Sequence, residues 1–358
     1  MSRASILVAM SGGVDSSVAA ALLVEQGHRV VGVTMKTFCY SETNSTSKTC
    51  CGLDGILDAR RIAETLGIPH YVFDMEEAFT ASVIDDFVAE YAAGRTPNPC
   101  VRCNSNTKIP DLLRRGHLLG CELIATGHYA RSIVDAGGDV HVARGRDAAK
   151  DQTYFLWGVP RPVLQRLRFP LGDLTKPEVR AYARRLGLAT ADKPESQEIC
   201  FVPSNDYTEF LAQRLGADHP ALQPGALVTS GGEVIGEHGG HARYTVGQRK
   251  GLGGGRGRVL YVLNVNAARN EVVVGARDEL DRDAVTLGDL NWLQAAPAAG
   301  DALHVQLRHR APAVAVEVVA VNSAEVELRL AAAQQAVTPG QSGALYRGDE
   351  LIGGGRIR

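Results

Sequence analysis

Residues 9–17, Ala9-Met10-Ser11-Gly12-Gly13-Val14-Asp15-Ser16-Ser17, follow the apolar run Ser5 to Val8 and precede the Ala/Leu/Val-rich segment Val18 to Val24. This order reads as strand, tight glycine turn and helix. Gly12 and Gly13 let the backbone approach an anion with no Cβ in the way. Ser11, Ser16 and Ser17 add hydroxyls beside the unpaired N–H groups of a helix start. The ligand expected is a phosphate or pyrophosphate. No lysine follows the glycines, so the pattern is not a Walker loop, and the spacing is not the dinucleotide G-x-G-x-x-G. Asp15 stands where that lysine would be. A carboxylate beside phosphates repels them unless a divalent cation bridges the two, so Mg²⁺ is expected. The plain alternative is an ordinary Ser/Gly helix cap.

Working outward, Gly27 gives a helix stop and Arg29 to Met35 a β-branched second strand, completing a βαβ unit. Ile56 to Leu66 has helical spacing, Tyr71 to Phe73 is a third strand, and Phe79 to Tyr91 is an amphipathic helix stopped by Gly94-Arg95-Thr96-Pro97-Asn98-Pro99. Pro110 to Leu119 reads as helix, Glu122 to Thr126 as a strand ending in Gly127-His128, Arg131 to Arg144 as a hairpin, and Lys176 to Leu186 as a Pro-started helix. Alternating strands and helices give an α/β doubly wound parallel sheet with ligands at the carboxyl ends of its strands. Ser11, Met35 and Gly127 all fall at such ends. After about residue 206 the chain becomes Gly-rich and then dominated by short Val-rich strands. The expected division is 1–205, a small central domain 206–280, and a C-terminal β-barrel 281–358.

The 358 residues, 45% of them apolar, suffice for two or three packed domains. No run of about 18 apolar residues is present, and Met1-Ser2-Arg3-Ala4 leads straight into a strand, which favours a soluble cytoplasmic protein without membrane segments. The net charge of −2 conceals basic clusters at Arg114/Arg115, Arg144/Arg146/Lys150, Arg184/Arg185, Arg249/Lys250, Arg256/Arg258 and Arg308/Arg310. Such clusters suit a face for a polyanion, although solvated helix faces explain many equally well.

Seven cysteines are an odd set for a reducing compartment and favour chemistry or metal over a disulfide framework. Cys100 and Cys103 form a C-x-x-C on a Pro-stiffened turn, with Arg102 adjacent and Lys108 close enough to favour a thiolate. Cys200, flanked by Ile199, Phe201 and Val202, reads by itself as a core cysteine.

The loop S-G-G-V-D-S resembles the pyrophosphatase-type ATP loop of enzymes that split ATP into AMP and pyrophosphate. With T-P-N-P-C-V-R-C-N, A-T-G-H-Y, K-D-Q-T-Y-F-L, E-I-C-F-V and T-V-G-Q-R-K-G-L in that order, the chain resembles the tRNA-specific 2-thiouridylase family over residues 9–252. The last third is a weaker match, through Leu307 to Arg310 and Val337 to Gln341. The resemblance implies an adenine nucleotide alpha hydrolase-like fold and sulfur transfer to the wobble uridine of tRNAs for Lys, Glu and Gln. ATP would adenylate the 2-carbonyl oxygen, and a persulfide sulfur from a donor protein would displace AMP. It implies Cys200 as persulfide carrier and Cys103 as nucleophile, joined in a transient disulfide. It also implies ATP contacts at Ala9, Met10, Ser11, Gly12, Gly13, Val14, Asp15, Ser16, Met35 and Gly127. Met35 and Gly127 would act through backbone groups, so truncating Met35 should do little.

The target base would meet Asn98, Pro99 and Cys100, and tRNA would meet His128, Lys150, Asp151, Gln152, Arg308, His309 and Gln341. His128 could equally be a structural hydrogen-bonder. Many relatives carry Asp where this chain has Cys100. That departure creates a set of three thiols, Cys100, Cys103 and Cys200, which could hold an iron–sulfur cluster instead of running a persulfide relay. No role is matched by Cys39, Cys50, Cys51 or Cys121. Two rivals remain: another adenylating enzyme of the same loop class, such as an amidotransferase-type synthetase, which predicts a glutaminase domain or partner and needs neither Cys103 nor Cys200, and a non-enzymatic RNA-binding or sulfur-trafficking module that uses ATP only as a structural ligand.

Overall fold

The computed structural model describes residues 3–38, 53–194, 199–202, 206–252 and 259–358. Cys39, Cys50, Cys51, Arg256 and Arg258 lie outside the described residues. The first part of the chain runs β1 (Ser5–Ala9), α1 (Val14–Glu25), β2 (Arg29–Lys36), α2 (Leu53–Leu66), β3 (His70–Asp74) and β4 (Leu123–Ala125), then a hairpin of β5 (Ala130–Val134) and β6 (Val140–Arg144), and β7 (Leu167–Arg168). Strands β3-β2-β1-β4-β7 lie in that order in one parallel sheet, with Leu7 opposite Val31 on one side and Ile124 on the other.

Both faces of this sheet are covered, which is why β1 and β2 are apolar almost throughout rather than alternating. Leu7, Val31 and Val33 pack with Ile109, Leu112 and Trp157 on one face. Ile6, Val8 and Val30 pack with Val18, Leu23, Ile62 and Val179 on the other. The strand order reverses between β1 and β4, so the crevice a doubly wound sheet offers to ligands opens beyond Ala9 and Ala125.

The helix expected to start at Pro110 begins at Pro99. It runs as Pro99–Arg102, then a wide i→i+5 turn at Cys103–Lys108, then Ile109–Leu118. Asn98 caps it by accepting the Val101 N–H at 3.3 Å. A similar wide turn, Thr80–Ile84, interrupts the helical stretch expected at Phe79 to Tyr91. Neither turn is marked by proline or glycine, so nothing in the sequence flags it.

A second sheet joins β8 (Gly225–Thr229), β9 (Val234–His238), β10 (Tyr261–Asn266) and β11 (Glu271–Gly275) in the order β10-β11-β8-β9. The last third is antiparallel: β12 (Asp281–Trp292), β13 (Ala302–Gln306), β14 (Val314–Val321), β15 (Glu325–Gln335), β16 (Ser342–Arg347) and β17 (Glu350–Ile357). Their order is β12-β15-β14-β13-β16-β17, and β12 pairs again with β17, Leu287 opposite Ile357, closing a six-stranded barrel. Inward residues such as Leu287, Val305, Val318, Leu328 and Ile352 fill it, and closure removes the exposed edges an open sheet would present. The hairpin β5–β6, expected from its glycines, docks on this barrel through Leu351 opposite Val142.

Candidate active site

A cleft of about 190 Å³ opens at the crevice, lined by Ala9, Met10, Ser11, Asp15, Ser16, Thr34, Met35, Lys108, Thr126, Gly127, His128 and Gln152. The turn after β1 is pinned to β2: Met10 N–H donates to Val33 at 2.7 Å, and the Thr34 hydroxyl donates to the Met10 carbonyl at 2.7 Å. Gly127 lies flat on the start of α1, where a Cβ would come within 2.8 Å of Ser16 N. Gly12 has φ +69°, and a Cβ there would strike the Gly55 carbonyl of α2 at 2.2 Å. Its glycine therefore serves the close approach of α2 as well as the left-handed turn.

The Ser16 and Ser17 hydroxyls donate to the Gly13 carbonyl, at 3.1 and 2.9 Å, and Ser16 Oγ accepts the Ser11 N–H at 3.1 Å. Ser17 is buried and also receives Thr190 at 3.3 Å, so it braces the loop from behind rather than facing an anion. Met35 is buried in the sheet core. The expectation that truncating Met35 does little concerns ATP contacts made through its backbone; for stability, losing a buried methionine side chain costs about 2–5 kcal/mol.

Asp15 has partners from within the chain. Lys176, at the start of the helix Lys176–Arg185, places Nζ 2.7 and 2.8 Å from its two carboxylate oxygens, and the Tyr129 hydroxyl donates to it at 2.8 Å. Lys193 adds a second ammonium, donating to the Gly12 carbonyl at 3.0 Å and to Asp58 at 2.7 Å. The countercharge that the sequence assigned to Mg²⁺ is thus supplied to Asp15 by protein. Among the described residues no group of three or more His, Cys, Asp or Glu is placed to hold a metal ion. The described residues by themselves form no three-ligand cage for a resident Mg²⁺.

His128 stands between the cleft and the thiols. Its Nδ1 lies 2.7 Å from Thr126 Oγ1, and its Nε2 lies 3.5 Å from the Asn104 amide. Burial first, and then the charge of Lys108, push its imidazole down to about 3, so the ring is neutral near pH 7. Gln152 Oε1 accepts the Tyr129 N–H at 3.0 Å and so steadies the tyrosine that holds Asp15.

Beyond the wide turn lie the cysteines. Cys100 is exposed, while Cys103 and Cys200 are half-buried. Cys103 and Cys200 pack against one apolar cluster that includes Phe79, Phe87, Phe201 and Phe210. Among the described residues Cys100, Cys103 and Cys200 form no three-ligand group, so the set as placed does not fit an iron–sulfur cluster. Arg102, expected to favour a thiolate, instead pairs with Asp86 at 3.0 Å, and Asp86 is held in turn by Arg356 of the barrel at 2.9 Å. Cys121 is buried, which pushes its thiol up and marks it as a core residue.

A model described as the tRNA methyl transferase HUP domain matches residues 4–204, one described as the tRNA methyl transferase PRC-barrel domain matches 208–276, and one described as an aminomethyltransferase beta-barrel domain matches 282–357. The chain is 49% identical to the tRNA-specific 2-thiouridylase MnmA of Geobacter metallireducens, over 99% of this chain and 97% of that protein. It is 48% identical to the proteins of the same name from Geotalea uraniireducens (99% and 95% covered) and Acidithiobacillus ferrooxidans (98% and 97%). The chain belongs to the tRNA-specific 2-thiouridylase family.

With that family fixed, the remaining residues singled out from the sequence fall into two groups. Asp151 and Gln341 are engaged with the protein itself. Asp151 accepts from Arg144 at 3.0 Å, from Gly145 N–H at 2.9 Å and from Thr153 at 2.7 Å. Gln341 donates to the carbonyls of Thr96 and Pro97 at 3.0 and 3.1 Å, tying the loop before Asn98 to the barrel. Arg308 and His309 are exposed, the His309 ring lies 4.5 Å from Phe155, and Lys150 is half-buried. Several other basic clusters are neutralised locally: Arg114 and Arg115 on Asp111, Arg146 on Glu178, Arg184 on Asp192. Lys176, Lys193, Thr34 and Tyr129 were not singled out, because isolated lysines and tyrosines carry no spacing signal.

Proposed function

We propose that this chain is a tRNA-uridine 2-sulfurtransferase in which the cleft at Ser11–Ser16 activates ATP and the thiols beyond the Cys103–Lys108 turn deliver sulfur. The chain acts on tRNA, and its first domain binds ATP. The observation that carries the reading is the convergence of Cys103 and Cys200, distant in sequence, on one apolar cluster. The turn that Cys103 begins ends at Lys108, which lines the nucleotide cleft.

The target is the wobble uridine of tRNAs for Lys, Glu and Gln, extruded toward Asn98, Pro99 and Cys100, since chemistry on a base requires it out of the stack. Its O2 attacks the α-phosphorus of ATP, the bond to the β-phosphate breaks, and pyrophosphate leaves with the electron pair while N3 gives up its proton. The terminal sulfur of a Cys200 persulfide, loaded by a sulfur-donor protein, then attacks C2 and expels AMP. The Cys103 thiolate attacks Cys200 Sγ, forming a Cys103–Cys200 disulfide and leaving the sulfur on C2. A thiol reductant resets the pair. Mg²⁺ enters with the phosphates, and the residues present assign it no step.

Lys150, Arg308 and His309 supply the RNA contacts, while Asp151, Gln152 and Gln341 hold those segments in place. The units 1–205, 206–280 and 281–358 divide this work, a division supported by the spans of the three family models. The test is Cys200→Ser with ATP, tRNA transcript and a persulfide donor. Thiolation falls by about 10³-fold or more, while tRNA-dependent pyrophosphate release persists. Retained thiolation removes the carrier role. Pyrophosphate release indifferent to tRNA leaves a nucleotide-binding protein of another kind.

A further inference from the structure

Both reactive cysteines are held from one short helix. Arg102 precedes Cys103, and its guanidinium pairs with Asp86 at 3.0 Å. Phe201 follows Cys200, and its ring packs edge-on against Phe87 with 5.1 Å between centroids. Asp86 and Phe87 are adjacent residues of the helix Asp85–Ala92. Each thiol is therefore one residue away from a side chain that this helix grips, in one case by charge and in the other by aromatic contact.

The charged side of the helix is clamped from the barrel. Arg356 of β17 places its guanidinium 2.9 Å from Asp86 and 2.9 Å from Glu90, one turn further along. Glu90 also accepts from Arg95 Nε at 2.8 Å, just before Thr96-Pro97-Asn98. The side chains of Asp86, Glu90 and Arg356 are only 16%, 7% and 12% exposed. Charges this deep lose hydration that their attraction returns only in part, so packed apolar residues of similar size would often stabilise as well or better. What apolar residues would not supply is direction, because a guanidinium meets a carboxylate in a fixed planar geometry. Asp86 is shared by two such guanidiniums, Arg102 of the first domain and Arg356 of the barrel.

The segment that needs direction begins right after Arg102. The wide turn Cys103–Lys108 carries an extra residue per turn, and such turns re-aim the side chains at their ends. Where the turn starts decides which way Cys103 points, and the Arg102–Asp86 pair fixes that start from outside. We infer that Asp86 is a positioning residue for sulfur transfer: clamped by Arg356, it holds Arg102 and thereby sets the approach of Cys103 to Cys200. It acts through Arg102 and not on the reacting atoms. Without its charge, Arg102 and Arg356 are two like charges across a common gap, and Cys103 moves with Arg102.

This inference rests on the reading that sulfur passes by way of Cys200 and Cys103, and the experiment keeps the two apart. Wild type, Asp86→Asn, Arg102→Met, Arg102→Lys and the double variant Asp86→Asn/Arg102→Met are equilibrated, without ATP or tRNA, in mixtures of reduced and oxidised glutathione. Two protein thiols exchange with one glutathione disulfide to give the Cys103–Cys200 disulfide and two glutathione thiols, and peptide mapping by mass spectrometry quantifies that bridge. In the folded protein this equilibrium reports how well the geometry presents one thiol to the other. It should fall by about tenfold in Asp86→Asn and in Arg102→Met and no further in the double variant, since both changes remove one interaction. Arg102→Lys should recover part of it. Single-turnover thiolation with a small-molecule persulfide should fall by about 10–100-fold, while tRNA-dependent pyrophosphate release stays within about threefold of wild type. If the variants keep the wild-type equilibrium and thiolation and only the unfolding temperature drops, Asp86 is merely stabilising and the inference falls. Additive losses in the double variant, or pyrophosphate release that falls as far as thiolation, overturn it as well. If Asp86→Asn does not fold, the two Arg102 variants decide the matter. If wild type thiolates yet forms no Cys103–Cys200 disulfide at any glutathione ratio, the transfer reading fails instead.

Discussion

The nucleotide cleft and the thiol site are built in opposite ways. The cleft takes its loop, its helix start and its strand ends from neighbouring parts of one parallel sheet and the helix after its first strand, with Met10 and Gly127 locked by backbone contacts. The thiol site draws on separate stretches, the helix from Pro99, the strand of chain around Cys200, and the barrel turn Thr338 to Ser342 that grips Thr96 and Pro97. A site made of local geometry survives small movements between domains. A site made of distant segments depends on the joints between them, here Gln341 on the loop carbonyls and Arg356 on Asp86.

That contrast is broken most directly by Asp15→Asn. It strips Lys176, itself buried, of its charge partner inside the cleft. Pyrophosphate release and thiolation should fall together by about 100-fold, the usual consequence of misplacing reacting groups by about 1 Å, as measured by single-turnover assays. A loss in thiolation alone would mean that the two regions are not ordered as activation followed by transfer.

Gly340→Ala addresses the other region. Gly340 has φ +91°, and a Cβ there would lie 2.9 Å from both N and O of Thr96. The variant should lose about 1–3 kcal/mol in thermal or denaturant unfolding and several-fold in thiolation, with ATP affinity unchanged. Equal losses in both functions would show the barrel supporting the cleft as well.

The smallest effect belongs to His128, which touches both regions through Thr126 and Asn104. Its folded-state value, about 3, lies below the ordinary 6.5. The unfolded chain therefore binds the extra proton between those values, and stability is held above pH 6.5 and lost as pH falls toward 3. One such group changes the unfolding constant by up to about tenfold per pH unit. Denaturant midpoints between pH 7.5 and 5 should fall, and His128→Asn should flatten that slope.

Much of the cleft was legible before any coordinates because its signals are contiguous. The glycine turn, the β-branched strands and the terminal Gly127 each announce themselves within a few residues. The cations were not legible in the same way. Lys176 and Lys193 read as solvated helix and loop lysines until the fold lays them over Asp15 and Gly12. The pairing of Arg102 was not legible either: its neighbour in sequence is Cys103, and its ion-pair partner in space is Asp86. Basic clusters also looked like RNA surface while Arg144 was stacking on Tyr346 at 3.8 Å and pairing with Asp151.

By itself the sequence determined the sheet, its nucleotide loop and the cysteines available for sulfur chemistry, because hydrophobic period, glycine freedom and thiol chemistry are local properties. Only the tertiary structure decided which charges cancel, which thiols share a cluster, and that a barrel strand carries a hairpin of the first domain. Those outcomes depend on loop closure between segments hundreds of residues apart, and local patterning places no limit on which of them meet.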